Sequence, residues 1–412
     1  MKKFLKVLVI VLISITTVLG GFAAANGINS IVMNKYIDSF EKVAMENQLL
    51  PQTDEQLGYY FTTDRDFKVM HLTDIHIGGG VLSAGKDKKA INAVAAMITA
   101  EKPDLVVVTG DIAFPVPWAG TLNNAYAHGY FTRLMERLGV YYTVTFGNHD
   151  SESYNFYDRA GVAKMYDDES LSYCLFDRGP EDIFGECNHA ITVRDTDGFI
   201  TESLVMIDSN AYTDEDPLGL GWVYDCIHDD QIEWYESVTR SHIEYNESLY
   251  ASLAESEKSA LGGVAPMPQG LLFMHIPIRE VKYAYDEYVN NGRQNTEDSI
   301  YVEGNDGEKD QVVYCSEIDE DLFETALSLG VTKAIFYGHD HLNNFVFNYK
   351  GITLSYGYSI DYLAYFGIKN QGYQRGSTVI YCRDGEPLII HENYYQDKYP
   401  ARYEKEAVDM TR

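Results

Sequence analysis

The sequence predicts an α/β fold whose sheets are mixed and not purely parallel. Short apolar runs rich in Val, Ile and Phe alternate with longer segments of helical character, which is typical of α/β architectures. Several later runs have the pattern of antiparallel strands. The chain has 412 residues, 45% of them hydrophobic, and 11 prolines, so it is long enough to bury a sizeable core.

The individual elements follow from these patterns. We predict buried strands over residues 67–72, 105–108, 141–145, 204–207, 271–274 and 334–337. Between them we predict helices over residues 87–100, 126–138, 229–254 and 318–329. The stretch Asp195-Thr196-Asp197-Gly198 indicates a hairpin turn. Later strands over residues 345–348, 352–355, 378–381 and 388–391 are expected to add in antiparallel or mixed fashion.

The N-terminal segment indicates export. Two lysines precede an apolar run over residues 7–19, and the small residues Ala23-Ala24-Ala25 have the form that a signal peptidase accepts. Extended through Ala25, the apolar segment approaches the roughly 20 residues needed to span a bilayer. Residues 1–25 are therefore either a signal peptide or an uncleaved membrane anchor, and both place the protein outside the cytoplasm.

The net charge limits the possible partners. The chain carries a formal charge of −30 at pH 7. Such a field repels nucleic acid and anionic membrane surfaces, so we expect no nucleic-acid polymer as a partner. We expect membrane contact only through the N-terminal segment if it stays uncleaved.

The five cysteines do not form a metal site by spacing. None lies in a CxxC or Cys/His zinc pattern. Export permits a disulfide between Cys174 and Cys187, and the alternative is that all five are small buried hydrophobic side chains.

Polar motifs follow the predicted strands one after another, where α/β folds gather their ligand-binding loops. In chain order they are Asp74-Ile75-His76, Gly110-Asp111, Gly147-Asn148-His149-Asp150, His275 and Gly338-His339-Asp340-His341. In an extended segment, residues two apart point to the same side, so Asp-x-His and His-x-His can each face one cluster. Imidazole, carboxylate and amide oxygen without thiolate suit a catalytic site for Zn, Mn, Fe, Co or Ni.

This ordered set of motifs resembles the calcineurin-like metallophosphoesterase family, which includes the purple acid phosphatases and cyclic-nucleotide phosphodiesterases. The resemblance runs from about residue 67 to residue 391. It is closer to small phosphatases similar to purple acid phosphatases. The stretches that carry this closer similarity are GPEDIFGECNHAITV, Asp230-Gln231 with Trp234, HIPIRE, GHDHLNNF and Arg375-Gly376.

The resemblance implies a fold and a division of the chain. The expected fold is a four-layer αββα sandwich of two mixed β-sheets flanked by helices. Residues 26–62 are expected to be a helical or linker segment, residues 63–395 the metallophosphoesterase catalytic domain, and residues 396–412 a tail.

The resemblance also implies two metal ions, from among iron, manganese and zinc. The implied ligands of the first ion are Asp74, His76 and His341. Those of the second are Asn148, His275 and His339. Asp111 is implied to bridge the two ions.

The two remaining residues of the third motif are assigned to catalysis by the same resemblance. His149 is implied to stabilise the transition state or to protonate the leaving oxygen, with Asp150 orienting its ring. The sequence departs from the purple acid phosphatases three residues after Asp111, where their metal-binding tyrosine is replaced by Phe114. A phenylalanine cannot ligate metal, so the colour and the ferric ion of that subfamily are not implied here.

The function implied is hydrolysis of a small phosphomonoester by a hydroxide that bridges the two metals. A phosphodiesterase with the same centre is the nearest alternative, and a non-catalytic metal-binding envelope module is a more distant one. Loop residues expected near the substrate are Arg279, Asn343, Asn344, Tyr358 and Arg375.

Overall fold

The computed structural model describes residues 2–308, 311–365, 368, 375–383 and 385–408. Within these residues, helices α1 to α8 span Lys2–Asp38, Ala84–Glu101, Asn124–Leu138, Arg159–Tyr166, Asp229–Ser252, Glu255–Ala260, Arg279–Asn290 and Leu322–Leu329. Strands β1 to β7 span Gln52–Asp54, Gly58–Thr62, Phe67–Leu72, Leu105–Thr109, Tyr142–Thr145, His189–Arg194 and Ile200–Met206. Strands β8 to β14 span Gln269–Phe273, Ser299–Glu303, Thr332–Tyr337, Val346–Tyr349, Ile352–Tyr356, Gly376–Cys382 and Leu388–Asn393.

These strands form two mixed sheets. One has nine strands in the order β1-β2-β6-β7-β8-β10-β12-β11-β9, and the other has five in the order β14-β13-β3-β4-β5. In the five-stranded sheet, β3, β4 and β5 are parallel while β13 and β14 add antiparallel. In the nine-stranded sheet, β7, β8, β10 and β12 are parallel. The mixed α/β prediction is confirmed.

The two sheets pack face to face, with helices on both outer surfaces. In β3, Val69 packs between the sheets together with Phe273 and Phe336, whereas its neighbour Met70 packs under α2 and α3. In β8, Leu272 turns outward to the core beneath α5, α7 and α8. The alternation of side chains along each strand therefore fills three apolar layers, as the four-layer sandwich requires.

Most predicted elements lie within one to four residues of the observed ones. The predicted turn at Asp195-Thr196-Asp197-Gly198 joins β6 to β7, and the Gly198 amide donates to the Asp195 carbonyl at 3.1 Å. Strands β1, β2, β6 and β9 were not predicted. In β9 four of the five residues are not buried, so the strand lacks the apolar pattern by which a strand is recognised.

Helix α1 joins the apolar N-terminus to the body of the domain without a break. Residues up to position 25 are largely exposed, and this apolar part is long enough to cross a membrane by length and composition. From Asn26 onward one face is buried, and Met33 and Ile37 join the core beneath α2 and α3. The segment 26–62, expected as a helical or linker segment, thus contains the last third of α1 and strands β1 and β2.

The C-terminal segment also packs on the domain. Tyr399 is fully buried in the core beside α2, and its hydroxyl donates to the Glu101 carboxylate at 2.6 Å. Arg402 donates to the Ser39 carbonyl at 2.6 Å, just after the end of α1. The described part of the predicted tail therefore fastens α1 and α2 together.

The five cysteines are all free thiols. The alternative of a disulfide between Cys174 and Cys187 is not realised in the structure. Burial raises the pKa of Cys174 to about 12, which keeps this thiol protonated.

We expect Tyr399→Ala to lower the free energy of unfolding by about 4 kcal/mol, because it removes a fully buried aromatic ring. Tyr399→Phe keeps the ring and removes only the hydrogen bond to Glu101, so its expected cost is about 1 kcal/mol. Urea denaturation followed by circular dichroism measures both. Equal stabilities of wild type and Tyr399→Ala would show that the tail is not part of the folded domain.

Candidate metal centre

The predicted motifs meet at one edge of the sandwich. Strands β3, β4 and β5 of one sheet, and β8 and β10 of the other, each end directly before one of them. The carboxyl ends of parallel strands lie at the same edge, so five loops converge there. Side chains far apart in sequence are thereby placed in one cluster.

The first group of the cluster consists of Asp74, His76, Asp111 and His341, whose ligand atoms all lie within 4.8 Å of one another. The Nε2 atom of His76 is 3.6 Å from Oδ1 of Asp74 and 3.4 Å from Oδ2 of Asp111. The Nε2 atom of His341 is 3.4 Å from the same Asp74 oxygen. These four residues form a candidate metal site.

A second group lies on the other side of Asp111. Its Oδ2 atom is 3.3 Å from Nε2 of His275, so one carboxylate oxygen is approached by imidazoles from both sides. The Nδ1 atom of His275 lies 2.7 Å from the carbonyl of Thr109, which fixes the proton on Nδ1 and leaves the Nε2 lone pair directed at the cluster. The His339 ring lies 5.2 Å from the His275 ring.

Five of the expected metal ligands have a buried polar atom without a hydrogen-bond partner. These atoms are Oδ1 of Asp74, Nε2 of His76, Oδ2 of Asp111, Oδ1 of Asn148 and Nε2 of His275. Buried polar atoms are almost always paired, because an unpaired one costs free energy. The atoms of Asp74, His76, Asp111 and His275 are linked by distances of 3.3 to 3.6 Å. Such a group of unpaired carboxylate and imidazole atoms suits borderline transition-metal ions.

The backbone at the cluster is strained in a consistent way. Asp74, His76, Asp111 and His339 all have φ between 50° and 75°, the left-handed region that non-glycine residues rarely adopt. Gly110 precedes one of them, and a Cβ there would lie 2.2 Å from the Gly147 amide nitrogen. The loops after β4 and β5 can approach so closely only because both contact positions are glycine.

Charge within the cluster is balanced between carboxylates and imidazoles. Burial opposes ionisation of Asp111, yet the neighbouring imidazoles hold its pKa well below the usual value. Burial alone would lower the pKa of His275, but the facing Asp111 carboxylate outweighs it and raises that pKa to about 9. Burial together with the charge of His275 keeps the pKa of His339 well below its usual value. Protons and metal ions therefore compete for these ligands.

His149 stands at the margin of the cluster and is partly exposed. Its main-chain amide donates to Oδ1 of Asp111 at 2.8 Å, and its ring lies 5.6 Å from the ring of His76. The Nδ1 atom of the ring is 2.7 Å from Oε1 of Glu152, which is almost fully buried. The carboxylate that orients His149 is thus that of Glu152.

The expected role of Asp150 as the partner of the His149 ring was wrong. Both oxygens of Asp150 are occupied by main-chain amides: those of Asp111 and Ala113 from the loop after β4, and that of Gly147 from its own loop. The distances are 2.8 to 2.9 Å. This fully buried carboxylate therefore binds two ligand loops together, while the ring of His149 pairs with Glu152.

Comparison with known proteins agrees with this geometry. A family model described as Calcineurin-like phosphoesterase matches residues 67–343. The chain belongs to the calcineurin-like phosphoesterase family. This confirms the resemblance that the order of the motifs predicted.

Relatives of this calcineurin-like phosphoesterase include two proteins of Arabidopsis thaliana. Probable inactive purple acid phosphatase 29 is 26% identical over 355 residues, which cover 80% of each chain. Probable inactive purple acid phosphatase 28 is 22% identical over 361 residues, covering 82% of this chain and 80% of the relative. Among solved structures, a dimetal phosphatase from Danio rerio matches with a TM-score of 0.48 and 12% identity, covering 81% of this chain and 98% of that one.

Phe114 lies inside the centre, where the purple acid phosphatases are expected to place their tyrosine ligand. Its ring is 4.8 Å from the ring of His149 and 5.2 Å from that of His76. Another phenol is close by, because the hydroxyl of Tyr212 accepts a hydrogen bond of 2.7 Å from the Asn148 amide. That bond uses the amide nitrogen and leaves the buried amide oxygen of Asn148 without a hydrogen-bond partner.

A buried ion pair fastens the loop of Asn148 to the opposite sheet. The guanidinium of Arg159 donates to the carbonyls of Phe146 and Gly147 at 3.0 Å. The same guanidinium binds the fully buried carboxylate of Asp208, two residues after the end of β7, with a 2.8 Å bond from Nε. One arginine therefore connects the two sheets beside the metal centre.

The loop residues expected near the substrate have other partners in the structure. Asn343 donates to Asp340, Asn344 accepts from the Asn305 amide, and Arg279 binds Asp319. The Tyr358 ring faces His391, and the buried Arg375 donates to the Asp361 carbonyl at 2.8 Å. These contacts support loops behind the centre, and none of them involves a residue of the cluster.

We expect His275 in the metal-free protein to titrate near pH 9, because Asp111 faces it. Asp111→Asn should lower that pKa by at least about one unit. Histidine-selective NMR on chelated protein measures both values. Because the folded-state pKa lies above the unfolded value near 6.5, the associated stability is complete below about pH 6.5 and is lost as the pH rises through about 9. A pKa below 6.5 in the wild type would contradict the geometry.

Proposed function

We propose that this protein hydrolyses phosphomonoesters with a dinuclear metal centre. The observation that carries the proposal is the position of Asp111, whose Oδ2 atom is approached at 3.3 and 3.4 Å by imidazoles of two separate ligand groups. A carboxylate that lies between two sets of metal-binding side chains would be able to bind both ions of a neighbouring pair.

We assign the ligands by these two groups. Asp74, His76 and His341 would hold the first ion, Asn148, His275 and His339 the second, and Asp111 both. Bound metals of this kind lower the pKa of water and stabilise charge on phosphoryl oxygens. Their charge also offsets the acidic field of the protein for an anionic substrate.

His149 has the surroundings of a general acid. Glu152 accepts from Nδ1, so Nε2 is the nitrogen that can donate to the oxygen of the leaving group. The carboxylate of Glu152 holds the ring in this orientation, and the apolar Phe114 packs against its side. Partial exposure of the ring leaves it accessible to a substrate.

The names of the relatives raise the alternative of an inactive protein. The Arabidopsis proteins are called probable inactive purple acid phosphatases. In this chain all seven proposed ligands and His149 are present. The ligand atoms of Asp74, His76, Asp111 and His341 lie within 4.8 Å of one another. This supports turnover with a centre that lacks the phenolate, since Phe114 replaces only that one ligand. A phosphodiesterase would use the same residues.

We also propose that the catalytic domain lies outside the cytoplasm. Helix α1 carries lysines at its N-terminal end and a long apolar stretch before the domain. Positive charge beside a membrane-spanning stretch stays on the cytoplasmic side, which places the domain on the opposite side.

Metal content and substrate preference test the proposed activity together. We expect about two transition-metal ions per chain by elemental analysis, and hydrolysis of para-nitrophenyl phosphate that a chelator abolishes. A preference for the bis-ester would favour a phosphodiesterase. Absence of turnover after reconstitution with Fe, Mn and Zn would identify a non-catalytic member of the family.

Two variants separate catalysis from metal binding. We expect His149→Ala to lower kcat by about 10²- to 10⁴-fold while two metals remain bound, because the ring donates a proton and is not a ligand. Glu152→Gln should also lower kcat, because it replaces the carboxylate that orients the ring. Glu169→Gln makes the same change on the exposed surface and should leave kcat unaltered. Unchanged turnover in His149→Ala would refute its role.

A further inference from the structure

The direction of α1 relates the apolar N-terminus to the metal centre. The side chain of Asn26 donates to the Gly120 carbonyl and accepts from the Val81 amide, both at 2.8 Å. Twelve residues later, Asp38 pairs with Arg133 of α3. Helix α1 therefore runs parallel to α3, with its apolar half projecting beyond the N-terminal end of α3.

That end of α3 lies at the edge of the sheet where the metal centre is. Helix α3 follows β4, and the loop between them begins with Gly110 and Asp111. Gly120, which binds Asn26, belongs to this same loop. The apolar half of α1 thus leaves the domain on the side of the centre.

Exposed apolar side chains surround this point of exit. Leu82 and Trp118 are each 60% exposed, and they lie on the two loops that bind Asn26. Phe156, 70% exposed, lies on the next loop and is held there by a bond from its amide to the Leu122 carbonyl. The Trp118 ring contacts the ring of Phe114 at 6.1 Å, and Phe114 contacts His149.

The opposite side of the centre has a matching surface. The loop between β7 and α5 carries Leu218, Leu220 and Trp222, which are 52%, 80% and 64% exposed. This loop is fixed at the centre by Tyr212, which binds Asn148, and by Tyr224, whose ring lies 4.6 Å from that of His339. We call these six exposed apolar residues on the two sides the apolar rim.

We propose that the apolar rim rests in the surface of the membrane in which α1 is anchored, and that the phosphomonoester hydrolysed there is carried by a lipid. The proposal rests on the proposed function of the centre. About 24 helical residues before Asn26 extend roughly 36 Å, enough to span a hydrocarbon core of roughly 30 Å. Trp and Leu side chains at the boundary of that core are favourable, and here Leu82 and Trp118 lie on the two loops that bind the base of the anchor.

The acidic charge of the chain does not oppose this arrangement decisively. Repulsion from anionic headgroups acts within about a Debye length, roughly 8 Å at physiological salt. The spanning helix holds the domain at the surface regardless of that repulsion. Burial of the rim then decides which side of the domain faces the bilayer.

Tryptophan fluorescence tests the orientation without any use of activity. The full chain is placed in nanodiscs of brominated phosphatidylcholine, with one of the three tryptophans left and the other two changed to Phe. We expect brominated lipid to quench Trp118 and Trp222 strongly, and Trp234 of α5 weakly. Absence of quenching at Trp118 and Trp222 overturns the proposal. Shielding of both from iodide without quenching by lipid would show that a protein covers the rim, which also overturns it.

Substrate presentation tests the second half of the proposal. Leu82→Ser, Phe156→Ser and Leu220→Ser combined should lower hydrolysis of phosphatidic acid in nanodiscs by about tenfold or more, with hydrolysis of para-nitrophenyl phosphate unaltered. Val264→Ser, Met267→Ser and Leu388→Ser combined remove exposed apolar residues elsewhere and should alter neither rate. Equal loss in both triple variants refutes the membrane-facing rim. No hydrolysis of either substrate by the wild type would refute the proposed function, while the quenching result would still report the orientation.

Discussion

The buried carboxylate of Asp111 is the constraint on which the rest of the centre depends. One of its oxygens receives the His149 amide, and the other faces imidazoles from β3 and β8, which belong to different sheets. A charge in this position is tolerable only when its neighbours compensate it. The spacing of the two sheets, the left-handed backbone at Asp111 and the glycine of the facing loop all satisfy this one requirement.

The fold was predictable for those strands whose burial produces a recognisable apolar pattern in the sequence. The parallel strands β3, β4, β5, β8 and β10 are covered on both faces, so they appear as short continuous apolar runs between helices. Strands β1, β2 and β9 are mostly exposed or half-buried, and their pairing depends on distant partners. The attachment of residues 26–62 and of Tyr399 was equally unpredictable. It depends on contacts with α2, α3 and the distant strand β6 that no local pattern records.

The clustering of the motifs was predictable because each motif lies within a few residues of a strand end. The supporting residues were not. Glu152 follows His149 by three residues, and that spacing was the available signal, but the neighbouring Asp150 was the simpler choice. Tyr212 and Arg159 reach the centre from separate loops, so only the folded chain brings them to Asn148 and its loop. The roles of these residues depend on tertiary contacts, which the local sequence does not record.

The connection made by Arg159 between the two sheets has a consequence for how this protein can diversify. Breaking a buried ion pair costs about 3 to 5 kcal/mol, a large part of the roughly 5 to 15 kcal/mol that stabilises a domain. Changes that loosen the loop of Asn148 would therefore endanger folding before they altered specificity. The loop between β7 and α5 and the segment around Phe156 have exposed apolar side chains at their tips. These side chains are not part of the ion pair between Arg159 and Asp208. Substitutions at these two tips are consequently a less destabilising route to a new substrate specificity than substitutions at the metal centre itself.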